Sequence, residues 1–172
     1  KNVFNYAFFT HVEGTTDLIC APSAISSDDA VMNISPSNCN VSKNVWSNAY
    51  KGVRYSNFAI AGIQDAPIDE KTRLSLLSEA KTMRAFWYYL LTSSFGDVPF
   101  YTEDVSSAEI MNKIAKYGRM SAYEARKTLI EDLQSCFPFD ENGEYTGALP
   151  QIRTNEMSAE NVGRAGWAMG MT

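Results

Sequence analysis

The chain has 172 residues, 45% hydrophobic and 12% aromatic, which is enough for one domain with a real core. Fifteen Lys and Arg against twenty Asp and Glu leave a formal charge of −5. A surface of that sign repels phosphate backbones, and no basic cluster opposes it, so nucleic acid is excluded as a partner. The longest apolar run, near Ala85–Leu91, is too short to cross a bilayer, which leaves a tether as the only expected membrane attachment.

In chain order, Asn2–Val12 carries apolar spacing of helical type. From Glu13 to Asn44 periodicity vanishes, Ser, Asn, Asp, Thr and Pro dominate, and no Phe, Tyr or Trp occurs between Phe9 and Trp46. A long loop is expected there, and a loop of that length in a compact domain is usually functional or mobile. Ser42 is the expected cap of a second helix, in which Trp46, Tyr50, Val53, Asn57 and Ile60 recur at intervals of four and three. Gly62 should lie near its end, and Pro67 suits the start of the next helix.

That third helix is expected over Ile68–Phe95, with a stripe through Leu74, Leu77, Arg84, Tyr88 and Leu91. Gly96 suits the position just past its end and Pro99 forbids continuation. An irregular connection follows from Val98 to Gly118, with room for a short helix at Ala108–Ala115. Ser121-Ala122-Tyr123-Glu124 is a capping box, and Ala122, Ala125, Leu129, Leu133 and Cys136 give a fourth helix. Asp140–Gly143 reads as a turn, the stretch to Asn161 as loop, and Gly163-Arg164 as the opening of a last helix. No strand alternates. The fold class expected is all-α: helical hairpins with long irregular loops. Residues 1–172 are expected to form a single partial domain cut at both ends, since Lys1 opens on an apolar stretch without a Met or signal segment and the last helical pattern stops uncapped.

Chemistry-bearing patterns are sparse. His11 is the one histidine, so no two-histidine metal site can form and no catalytic triad has support. No nucleotide-binding glycine loop occurs, and neither a metal nor a cofactor is expected. Cys20, Cys39 and Cys136 lack metal-ligand spacing; a Cys20–Cys39 bridge is conceivable, with thiols the better reading. Asp69-Glu70 and Glu131-Asp132 fall on helices, where adjacent acids diverge by about 100° and cannot flank one glycosidic bond. Trp87, Tyr88 and Tyr89 could offer a sugar-stacking face, although mid-helix aromatics more often fill a core.

Ser78-Glu79-Ala80-Lys81-Thr82-Met83-Arg84-Ala85-Phe86-Trp87-Tyr88-Tyr89, followed by Phe95-Gly96-Asp97-Val98-Pro99, resembles the central signature of SusD/RagB-like proteins. Four further pieces match in order: Ser27-Asp28-Asp29, Trp46 to Tyr50, Ile130–Leu133, and Leu149-Pro150 with Gly163-Arg164. The resemblance covers nearly the whole chain and corresponds to the N-terminal portion of such a protein. It implies a scaffold similar to tetratricopeptide repeats and a lipid-anchored place on the outer face of the outer membrane. It also implies capture of oligosaccharides, without catalysis, for import through a SusC-like TonB-dependent transporter. The alternatives are a peptide-binding RagB-like member and a helical-repeat interaction module with no nutrient ligand. By the same resemblance, Asp28, Asp29, Asn33, Asn38 and Asn40 are the expected ligand contacts. Trp46, Tyr50, Glu79, Arg84, Phe95, Gly96, Asp97 and Pro99 are the expected scaffold motif.

Overall fold

Every fourth residue of Val45, Ala49, Val53 and Asn57 is buried, and this repeat builds α1, Asn40–Gln64. The computed structural model describes residues 40–147. It divides between Lys51 and Gly52 into two compact units. Helix α1 begins earlier than the composition suggested. Ser42 sits inside its first turn instead of capping it, and Asn40, expected in the loop, is its first residue. Trp46 and Tyr50, one turn apart, meet with ring centroids 4.9 Å apart.

The connection to the next helix is tied by a side chain. Arg73 reaches back to the carbonyls of Ala66 (2.9 Å) and Ile68 (3.2 Å), and its other Nη pairs with Glu70 at 2.7 Å. Asp69 then caps α2, Glu70–Phe95, by accepting the Thr72 N–H at 3.0 Å. The helix therefore starts two residues after the expected Ile68, and Pro67 belongs to the bend. The Asp69 carboxyl is held below its ordinary value, first by the Thr72 hydrogen bond.

Helix α2 ends at Gly96, whose φ of 69° is the positive value expected. Its ψ of −125° lies outside the left-handed helical region, in a conformation that glycine adopts without a Cβ penalty. Two short strands follow, against the expectation of none. They are β1, Val98–Pro99, and β2, Arg119–Met120, antiparallel with Val98 opposite Met120. Each is too brief for alternation to show in sequence. Between them lies α3, Ala108–Ile114, capped by Ser107. After β2 comes α4, Ala122–Gln134, whose N-cap Ser121 accepts the Glu124 N–H at 3.1 Å.

The register of the helices follows from their cross-links. Gly52 meets Trp87 and Asn57 meets Arg84, so α1 and α2 run antiparallel. Ser78 meets Cys136, Arg84 meets Asp132, and Thr92 meets Arg126, so α2 and α4 also run antiparallel. The described fold is thus helical hairpins, joined by a two-stranded clip. Buried Ala85, Tyr88, Leu91, Val98, Ala125, Leu129 and Leu133 form the core. Leu74 was expected on this face but is 47% exposed. It lies a turn beyond Ser78, where α2 meets the end of α4. Among the described residues, no helix is long and apolar enough to cross a membrane.

Candidate functional site

A buried cation organises the centre of the hairpins. Arg84, 6% exposed, donates from Nη1 to Asn57 Oδ1 at 3.1 Å and from Nη2 to Asp132 Oδ2. Lys81, one turn back on α2, reaches the other oxygen of Asp132 at 3.0 Å. Burying a guanidinium is costly unless it is paired, so an acid had to lie opposite. The sequence supplies it from α4, 48 positions away.

Asn57 turns its amide the other way. Its Nδ2 donates to the carbonyls of Tyr101 (3.3 Å) and Glu103 (3.2 Å), which fixes the strap Phe100–Asp104 against α1. Tyr88, wholly buried, holds the same strap. Its hydroxyl donates to the Tyr101 carbonyl at 2.8 Å and accepts the Tyr101 N–H at 2.9 Å, while its ring packs on Phe100 at 4.6 Å. Further along, Glu103 accepts the Tyr117 hydroxyl at 2.5 Å and lies 3.5 Å from Lys113. That hydroxyl, more than any other group, holds the Glu103 carboxyl below its ordinary value.

Between α1, α2, α4 and the strap lies an open cleft of about 540 Å³. Asn57, Lys81, Arg84 and Asp132 line it together with Ile60, Phe100 and Glu131. Its volume is that of a ligand pocket, and its lining mixes apolar area with a few fixed polar groups. Asp132, held by two cations, is a structural anion here. Among the described residues no His, Cys, Asp and Glu group could hold a metal ion.

Most of the remaining motif residues lie at the end of α2. Asp97 Oδ1 accepts the Ala122 N–H at 3.0 Å, which places a carboxylate at the N-terminus of α4. The Asp97 carbonyl accepts from Arg119 at 2.9 Å. Phe95 is half-buried, Pro99 stands in β1 and Glu79 is half-buried on α2. Of the aromatic trio, Tyr88 is core, Trp87 lies over Gly52, and Tyr89 is 53% exposed. Asp28, Asp29, Asn33 and Asn38 lie outside the described residues, as do Cys20, Cys39, the first expected helix and the last. Cys136 is a buried thiol whose pKa is raised by burial.

Sequence reasoning passed over Asn57 and Asp132 as binding partners. The signal was present: an Asn and an Arg both sat on apolar stripes, where each needs a partner.

Residues 5–156 match the SusD-like family model whose description is "Starch-binding associating with outer membrane". The chain belongs to the SusD-like family. A relative, SusD-like protein P25 from Formosa agariphila, is 25% identical over 126 residues, 69% of this chain and 23% of its own length. Among solved structures, a SusD-like carbohydrate-binding protein from Bacteroides fragilis matches 81% of this chain and 24% of its own, at TM-score 0.60 and 22% identity. Surface glycan-binding protein A from Bacteroides fluxus matches 75% and 24%, at TM-score 0.57 and 23% identity. The chain spans about a quarter of the length of these relatives. The solved structures share its fold.

Proposed function

We propose that this SusD-like chain is part of a cell-surface protein that captures oligosaccharides at the outer membrane and passes them to a TonB-dependent transporter. The family match over residues 5–156 carries the reading. Its description speaks of starch binding and of the outer membrane, and the solved relatives are a carbohydrate-binding and a surface glycan-binding protein. The physics agrees with capture: antiparallel helices locked by a buried ion pair give a stiff frame, and a stiff frame loses little entropy when it binds.

Asp28, Asp29, Asn33, Asn38 and Asn40 are the proposed ligand contacts, since amides and carboxylates match the hydroxyls of a sugar. No Phe, Tyr or Trp lies between Phe9 and Trp46. Hydrogen bonding, more than ring stacking, would then dominate at that segment. The ligand leaves chemically unchanged in this reading. Affinity purification of the intact protein from native outer membranes tests the partnership. Co-purification of a TonB-dependent transporter is the expected result, and its repeated absence under mild detergent would overturn this part of the reading.

A further inference from the structure

We propose that the cleft beside the Arg84–Asp132 pair is itself a subsite for a neutral sugar, additional to the Asp28–Asn40 contacts; this rests on the oligosaccharide-capture reading above. Three observations converge on it. The first is size: about 540 Å³ lies within the range of small-ligand pockets. The second is an unsatisfied donor. Arg84 lines the cleft, its side chain is 8% exposed, and its Nε is buried without an acceptor although both Nη groups are engaged. A buried donor in that state calls for an acceptor, and a sugar hydroxyl or ring oxygen can supply one once a small shift of the Arg84 side chain brings Nε to the cleft surface.

The third is charge. Lys81 and Arg84 are both committed to Asp132, while Glu131 and Asp104 add uncompensated carboxylates to the lining. An anionic ligand would meet net repulsion there. A neutral polyhydroxyl ligand would not, and it could donate hydroxyl protons to Glu131 while accepting from Arg84 Nε after that shift. Ile60 and Phe100 supply apolar area for the C–H face of a pyranose ring.

The test is calorimetric titration of the intact protein with maltohexaose, cellohexaose and xylohexaose as neutral probes, and with hexagalacturonate as an anionic one. Two variants address the cleft. Ala61→Trp fills it from α1, and Glu131→Gln removes an exposed carboxylate, a change that should leave folding intact. Either variant should weaken the best neutral probe by about tenfold, the value of one lost charge-assisted hydrogen bond. The same loss should appear in an Asp28→Asn, Asp29→Asn background. Neutral-sugar binding that both cleft variants leave unchanged would overturn the subsite while oligosaccharide capture stands. Preference for hexagalacturonate would overturn it as well. Failure of every probe to bind the parent protein would count against capture itself, and the subsite would fall with it.

Discussion

Arg84 and Asp132 are unequal partners, and the inequality can be measured. Arg84 is the more buried, with a side-chain exposure of 8% against 21% for Asp132. Removing Asp132 strands a desolvated guanidinium, whereas removing Arg84 leaves an acid that still has Lys81 and some water. Asp132→Ala is therefore expected to cost about 3 kcal/mol and Arg84→Met distinctly less, with Arg84→Met/Asp132→Leu recovering part of the loss. Urea denaturation of the four proteins checks the order; equal costs for the two single changes would contradict it. Gly52 is a second point of sensitivity, because a Cβ there would fall 2.3–2.4 Å from the Trp87 indole. Gly52→Ala should cost about 1–3 kcal/mol through overpacking and shift the Trp fluorescence. Trp87→Leu in the same chain should relieve much of that cost. The role of Gly52 was not legible in sequence, since a glycine inside a helical pattern does not say which ring lies over it. The Arg84 pairing was half legible: an Arg on an apolar stripe demands an acid, but which of several acids answers depends on how α2 and α4 pack.

At the scale of elements, the segment after α2 does several jobs in few residues. Gly96 turns the chain with φ 69°, Asp97 accepts at the start of α4, and Val98 pairs with Met120. Gly96→Ala should cost on the order of 1–2 kcal/mol, because an L side chain resists that backbone conformation. Thermal melting followed by circular dichroism would show it. Helix boundaries in this half were readable because their caps are local: Ser121 with Glu124 specifies the start of α4 as well in sequence as in space. Boundaries failed where local signals competed. At the start of α1 a polar run read as loop is helical from Asn40, and before α2 Asp69 outcompetes Pro67 as the signal that matters. The clip of β1 and β2 was invisible for a different reason, since two-residue strands have no period.

The strap has an acid-sensitive anchor. The folded-state pKa of Glu103 is depressed, chiefly by the Tyr117 hydroxyl, so its contribution to stability is present above the ordinary carboxylate value of the unfolded chain. That contribution is lost as pH falls through the lower folded value. Tyr117→Phe should raise the Glu103 pKa, lower stability near neutrality and flatten the acid side of the stability profile, so that the two proteins converge as pH falls. Denaturant midpoints between neutral and acidic pH would check this, and a profile unaltered by the substitution would contradict it.

At the scale of the whole molecule, the proposed function asks antiparallel helices to present a fixed polar surface to a carbohydrate and to break no bond in it. Fold class and family were legible in sequence because both depend on repeated or ordered features: apolar periodicity over three helices, and motif pieces in sequence order from Ser27 to Arg164. The candidate cleft was not legible, because its lining comes from α1, α2, the strap and α4 and converges only in three dimensions. The most direct measurement is calorimetric titration of the intact protein with a panel of neutral oligosaccharides, followed by chromatography of the recovered sugar. Saturable heat with the oligosaccharide returned at its original length is expected. Shortened products, or no heat from any member of the panel, would contradict capture without cleavage.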